Sequence, residues 1–393
     1  MKKIISLVLV ILCLFAFISP ISAENDIKSA AESFPFYSDA NIDLDYEIGS
    51  AFLCEASTGK VLFASNEFEK ASPASVTKIM TLLLVFEAIE RGEIRLDEIL
   101  TVSENAASMG GSQVFLEPGE EMSVDELIKC VVVSSANDAA LTLAERVGGG
   151  EEAFVDLMNQ RSKQLGMENT SFENVTGLDD KVTNHVTSAY DIALMSRELL
   201  KHKKITEYTT IWMDTIRNGE FGLSNTNRLV KYYKGVTGLK TGFTSSAGFC
   251  ISASAKRDNL HLIAVVMGAK TSNERNVCAT KLLDFGFANY TVFLDKAREV
   301  GRIAIKDGVK EEMLVGCNDF ELLENIGQDK RIITEYRYND NISAPIKAGE
   351  TVGKIIYRLD EKIIGESPIF AKETVEKMSF FHYFVEAVKK FVP

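Results

Sequence analysis

The chain is poor in the residues that staple small exported domains or hold metal ions. Six cysteines are spread over 393 residues. Cys54, Cys130, Cys250, Cys278 and Cys317 stand far apart, so no CxxC pair offers redox or zinc chemistry, and a disulfide framework is not expected in so long a chain. They read as small buried apolar residues. His185, His202, His261 and His382 lack HExxH or HxH spacing, so neither a metal site nor a cofactor is expected. Positive charge is also short: Lys and Arg number 43 against 56 Asp and Glu, for a net charge of −13. That is the reverse of a nucleic-acid binder's basic footprint, and no nucleic acid is expected as a partner. Internal repeats, low-complexity tracts and a Gly-x-Ser-x-Gly elbow are absent. The apolar share of 46% and the charged share of 25% are those of a folded globular chain, and the length allows one or two domains.

One apolar run stands out. Met1-Lys2-Lys3 is a basic head, Ile4 to Ile18 is almost wholly apolar, Pro20 breaks the run and Ile21-Ser22-Ala23 ends on a small residue. This is the layout of a secretory signal peptide over residues 1–23. The run is short for a membrane span. The mature chain is therefore expected outside the cytoplasmic membrane, in the cell envelope.

Gly49–Glu55 and Lys60–Ala64 read as strands around the turn Ser57-Thr58-Gly59. Ser75–Glu90 reads as a helix apolar on nearly every side, which is normally buried. Ser72 is placed to cap it, with Pro73 at its first position. Ser123–Val132 reads as a helix opened by the capping box Ser123/Glu126. Asp138–Val147 (Asp138 as cap), Glu151–Leu165 and Thr187–Lys201 read as helices. Val236–Thr241, Phe249–Ala255 and Leu260–Met267 read as strands, followed by a helix over Ser272–Phe287. The expected fold is α/β, an antiparallel sheet flanked by helices, over residues 24–291. From about Val292 short alternating runs broken by Gly, Asn, Asp and Pro predict a small all-β module over residues 292–371. Thr374–Val392 carries an aromatic-rich apolar face, an amphipathic helix within a tail of residues 372–393. Docking on the β module and lying on a membrane surface both suit such a helix, and the second is preferred.

Ser-x-x-Lys occurs twice, about as often as chance supplies it. Ser57-Thr58-Gly59-Lys60 falls in a turn that would not hold both side chains on one side. Ser75-Val76-Thr77-Lys78 falls at a helix start, where residues three apart share a face. Free N–H groups and the helix dipole lie near Ser75, and Lys78 sits one turn deeper in apolar surroundings that disfavour its ammonium form. Ser135-Ala136-Asn137 lies between two helices, where it could serve either as ordinary capping or as a corner aimed into a cleft. Ser103-Glu104-Asn105 shares its pattern. Lys240-Thr241-Gly242 lies on a strand, and Gly242 would let a substrate backbone come close.

Together these elements form the set shared by penicillin-binding proteins and class A β-lactamases. The stretches Ala74–Thr81, Ser134–Ala140 and Gly238–Thr244 resemble those of the low-molecular-weight penicillin-binding proteins, the serine D-alanyl-D-alanine carboxypeptidases. The likeness covers almost the whole mature chain. It implies a penicillin-binding, transpeptidase-like fold and removal of the terminal D-alanine from peptidoglycan stem pentapeptides. It also implies covalent binding of β-lactam antibiotics. Carried onto this sequence, Ser75 is the nucleophile, Lys78 its base and Ser135 the proton relay. Asn137, Lys240, Thr241, Gly242 and Phe243 contact substrate, with the Ser75 and Phe243 N–H groups as oxyanion hole. Phe243 departs from the polar or aromatic-polar residue many relatives carry there. A β-lactamase would need a deacylating glutamate, usually in Glu-x-x-x-Asn, which has no convincing match between Asn137 and Lys240. A non-catalytic β-lactam-binding scaffold would have lost one of these side chains.

Overall fold

A computed structural model describes residues 42–179, 182–381, 384 and 388. The expected signal peptide, residues 1–23, lies outside the described residues.

The main sheet has five antiparallel strands: β1 (Ser50–Glu55), β2 (Val61–Ser65), β3 (Val236–Thr244), β4 (Gly248–Arg257) and β5 (Leu260–Ala269). Their order is β2-β1-β5-β4-β3. The turn Ser57-Thr58-Gly59 joins β1 to β2 because the Glu55 carboxylate accepts from the Ser57 and Thr58 N–H groups at 3.0 and 2.6 Å. Successive side chains point to opposite faces, and both faces here are apolar. Phe52, Cys54, Ile263 and Val265 join one buried cluster, while Ala51, Leu53, Leu262 and Ala264 join the other.

The first cluster is built around α1 (Lys78–Glu90), whose residues from Lys78 to Phe86 are all buried. It is surrounded by α2 (Val124–Val133), α3 (Asn137–Gly148), α4 (Glu151–Gln164) and α5 (Ala189–Lys201). The Ser123/Glu126 capping box opens α2 as expected. The second cluster packs the other face of the sheet on α6 (Ser272–Asn289) through Cys278, Leu282 and Leu283. The sheet is thus flanked by helices on both faces.

Two expected helix starts differ. Ala74–Thr77 forms a 3₁₀ turn before α1, with Pro73 in the cap position and no side-chain cap bond. Ser72 Oγ makes no hydrogen bond among the described residues. The segment from Pro73 bends sharply because Ala74 takes φ +47°, which removes Ser72 from the helix axis. Asp138 likewise does not cap α3, whose cap residue is Ala136. Its carboxylate accepts from the Val114 and Leu116 N–H groups, both at 3.1 Å, and so ties down the neighbouring loop.

The C-terminal part is all-β. Tyr290–Asp295 pairs with Phe320–Asn325, and a five-stranded sheet follows. Ile355, Tyr357, Ile369 and Met313 fill its core. The terminal helix does not begin at Thr374. Val375 is buried in this module and pairs with Ile346, and Lys377 pairs with Gly308, so residues 374–378 run extended. Burial of Val375 outweighs the helical periodicity there. Phe380, Phe381, Phe384 and Val388 are helical. The remaining positions of the expected helix lie outside the described residues.

Leu83 lies at the centre of α1 and is wholly buried. Leu83→Ala is expected to destabilise the protein by about 2–5 kcal/mol, from lost transfer energy and the cavity left behind. Denaturant unfolding measures it, and a loss under about 1 kcal/mol would mean the α1 cluster closes around the gap.

Candidate active site

Ser75 follows Ala74 in the 3₁₀ turn, and Lys78 is the first residue of α1. Three residues of helical rise bring both side chains to one face. Lys78 Nζ donates to Ser75 Oγ at 2.9 Å and to the Thr176 carbonyl at 2.8 Å. Lys78 is completely buried. Burial, then the nearby Lys240, holds its amine well below the ordinary lysine range, against the opposing pull of Asp138. A left-handed alanine costs on the order of 1 kcal/mol, so the Ala74 bend must be held from outside. Gly177 packs on its carbonyl so closely that an added Cβ would lie 1.8 Å from the Ala74 oxygen. Thr77 Oγ1 donates to the same oxygen at 2.8 Å.

Ser135 and Asn137 stand at the corner between α2 and α3. Ser135 takes φ +61°. It does not cap α3, since the cap residue is Ala136 with no side-chain bond. Asn137 N donates to the Ser112 carbonyl at 2.7 Å and Asn137 Nδ2 to the Gly110 carbonyl at 2.6 Å, while its buried Oδ1 finds no partner among the described residues. A buried acceptor of that kind is costly unless a ligand donor meets it.

β3 is the edge of the sheet. Lys240 and Gly242 share one face of it. A Cβ on Gly242 would lie 2.8 Å from the Pro73 carbonyl and 2.9 Å from Ser75 N, so only glycine lets the strand approach the turn. Lys240 Nζ donates to the Thr241 carbonyl at 2.9 Å. Burial, then Arg275, pushes its amine down to about 7. Thr241 Oγ1 donates to Thr226 Oγ1 at 2.8 Å. Phe243 is exposed and stacks on Phe249 at 4.2 Å between ring centres.

Ser75, Ser135, Thr241, Gly242 and Phe243 line one cleft of about 760 Å³. The motif look-alikes lie elsewhere. Lys60 reaches the Leu323 carbonyl of the β module at 3.3 Å, and Ser103 caps the short helix Glu104–Ala107. Sequence reasoning missed two arginines lining the same cleft, Arg228 and Arg275. The Arg275 guanidinium is buried, is pushed down to about 10 by that burial, and donates to Asn276 Oδ1 at 3.1 and 3.0 Å. A signal for it existed: a cation in the first turn of α6 is opposed by the helix dipole and needs an anion to justify it.

Residues 38–271 match the family described as D-alanyl-D-alanine carboxypeptidase, and residues 290–377 match the penicillin-binding protein 5 C-terminal domain. The chain is 42% identical to D-alanyl-D-alanine carboxypeptidase DacF of Bacillus subtilis over 390 residues, covering 98% of this chain and 97% of the relative. It is 35% identical to DacC of Escherichia coli over 340 residues, 84% of each chain. Penicillin-binding protein 5 from Haemophilus influenzae superposes with TM-score 0.72 at 30% identity, covering 86% of this chain and all of that one. The chain belongs to the D-alanyl-D-alanine carboxypeptidase family.

Behind the site His185 is buried, and burial pushes its imidazole from 6.5 down to about 4 despite Glu173 and Asp179. His261, half-buried on β5, is pushed down to about 4 as well by desolvation. The unfolded chain protonates both where the folded state keeps them neutral, so unfolding takes up protons between about pH 6.5 and 4. Their stabilisation is complete above pH 6.5 and is lost as pH falls through 4. Unfolding midpoints should therefore fall steadily across that window. Midpoints flat from pH 6.5 to 4 would show that the two imidazoles titrate as they do in water.

Proposed function

We propose that the cleft hydrolyses the terminal peptide bond of peptidoglycan stem pentapeptides ending in D-Ala-D-Ala, with Ser75 as the nucleophile. The observation that carries this reading is the 2.9 Å contact between Ser75 Oγ and a wholly buried Lys78 amine. A neutral amine has a lone pair free to take the Ser75 proton. Ser75 Oγ then adds to the carbonyl between the last two residues. The oxyanion accepts from the N–H groups of Ser75 and Phe243, which the close packing of Gly242 on the nucleophile turn supports. Ser135 relays a proton to the departing nitrogen, the C–N bond breaks and D-alanine leaves. Water attacks the resulting ester, giving up its proton to Lys78, and restores Ser75. Asn137, with its unpartnered Oδ1, accepts from a substrate amide. The substrate lies along the β3 edge as an added strand. Lys240, Thr241 and Arg275 face its terminal carboxylate, and the basic side chains of Lys240 and Arg275 have no ion-pair partner among the described residues.

A β-lactam presents the same carbonyl within a ring. Its cleaved nitrogen stays attached, so the acyl-enzyme persists. A β-lactamase reading is weaker, because Glu173, on the loop beside Lys78, spends its carboxylate on the Thr183 and Asn184 N–H groups at 2.9 and 3.0 Å.

The decisive assay is D-alanine release from a peptide ending in D-Ala-D-Ala. The protein should release it, Ser75→Ala should not, and labelled penicillin should be recovered on Ser75. Release by Ser75→Ala at an undiminished rate would refute the assignment.

The envelope location expected from residues 1–23 brings the tail into the same proposal: it lies on the membrane surface as a peripheral anchor. Phe380, Phe381, Phe384 and Val388 are exposed, an apolar group suited to the headgroup region. Among the described residues no helix is long and apolar enough to cross a membrane. Deleting residues 379–393 should abolish sedimentation with lipid vesicles and leave hydrolysis of soluble peptide unchanged. Equal sedimentation with and without the tail would reject the anchor.

A further inference from the structure

His185 lies behind the nucleophile turn, out of the cleft, in a hydrogen-bonded chain that none of the steps above uses. Its Nδ1 accepts from the Glu173 backbone N–H at 3.0 Å. Its Nε2 lies 2.8 Å from Thr77 Oγ1, and Thr77 Oγ1 donates to the Ala74 carbonyl at 2.8 Å. These partners leave one arrangement of protons. The Glu173 N–H can only donate, so Nδ1 is bare and Nε2 carries the hydrogen. Nε2–H then donates to Thr77, whose own proton is turned to Ala74. A doubly protonated imidazole would set Nδ1–H against the Glu173 N–H. The groups facing His185 agree with the neutral form. Glu173, Asp179 and Lys78 are the charged neighbours, the Glu173 carboxylate is spent on Thr183 N and Asn184 N, and Asp179 accepts from Ser246 Oγ. Phe172 covers the ring edge-on at 5.7 Å between ring centres.

This hydrogen-bonded chain ends on a residue whose backbone is left-handed. Ala74 at φ +47° precedes Ser75, and the peptide plane between them carries both the Ala74 carbonyl and the Ser75 N–H. Fixing that oxygen fixes the direction of that N–H.

We propose that His185 is a positioning residue for acylation: acting through Thr77, it orients the Ala74–Ser75 peptide so that the Ser75 N–H points at the developing oxyanion. This rests on the acyl-enzyme reading of Ser75 given above. His185 touches neither substrate nor Ser75, so its effect falls on the rate of the chemical step and not on substrate binding.

The test measures kcat and KM for D-alanine release, and the rate of Ser75 acylation by labelled penicillin. The proteins are the unsubstituted enzyme, His185→Ala, His185→Gln, Thr77→Val, Thr77→Ser and the His185→Ala/Thr77→Val double variant. Misdirecting one donor should lower kcat and acylation on the order of 10²-fold, with KM little changed. His185→Gln should recover most of the loss, because its amide Nε2–H donates where the imidazole did, and Thr77→Ser keeps the hydroxyl. The double variant should be no slower than the slower single variant, since both cut the same chain. Unimpaired acylation in His185→Ala, equal slowness in His185→Gln, or losses that multiply in the double variant would each overturn the inference. Should His185→Ala not fold, Thr77→Val against Thr77→Ser decides, and equal rates for the two would overturn it. An unsubstituted enzyme that is not acylated at Ser75 would instead overturn the acyl-enzyme reading itself.

Discussion

The site depends on keeping one amine dry. Lys78 is buried because α1 is apolar on every side, from Ile79 to Phe86, so a helix that builds the core also removes water from its first residue. Among the described residues the amine donates to Ser75 Oγ and the Thr176 carbonyl. Burial, with the nearby Lys240, is what favours the uncharged form of that amine. The remaining features follow from this. Gly177 must lie flat on Ala74 to hold the Thr176 carbonyl where it is. Asn174 Oδ1 accepts from Thr176 N and Gly177 N to shape that turn. Stability and reactivity share the same residues, and changes in the α1 surroundings should reach both.

The sheet and the main helices were legible because their patterns are local. The turn signal at Lys256–Asn259 marked β4 and β5 as a hairpin, the Ser123/Glu126 box marked α2, and the nearly all-round apolar run marked α1. Ser75, Lys78, Ser135 and the Lys240–Phe243 stretch were legible as three short motifs, each weak alone. What was not legible depends on contacts distant in sequence. Asp138 looked like a cap, but its carboxylate serves a loop 22–24 residues away. The hairpin of Met213–Ile216 with Phe221–Ser224 was not foreseen. It is pinned by Arg217, which donates to the Val114 carbonyl and pairs with Glu120 about a hundred residues upstream. Ser72 looked like a cap because nothing local shows that Ala74 bends left-handed, a bend imposed by Gly177 and Thr77.

The C-terminal tail makes the same point. Val375 and Met378 continue the helical period of Phe381 and Val388, yet Val375 is taken into the β module by Ile346. A periodic pattern states which residues want burial and does not say in what backbone they will find it. The module is joined to the catalytic part by particular contacts, among them Lys60 to the Leu323 carbonyl and the burial of Val292 and Leu323 beside α6.

Among the described residues one edge of β3 is unpaired, and this bears on selectivity under the proposed binding mode. A peptide that adds as a sixth strand can slide only in whole residues, and each single step turns every side chain to the opposite face. A slip of one residue would present the wrong face of the chain to Gly242, where the strand lies against Pro73 and Ser75 with no space to spare. A slip of two would restore the faces but carry the chain end past Lys240. If the substrate adds to β3 as proposed, the sheet edge would act as a ruler with a two-residue graduation and a stop at Lys240, so that the length of the bound segment, counted back from its end, would decide which bond meets Ser75.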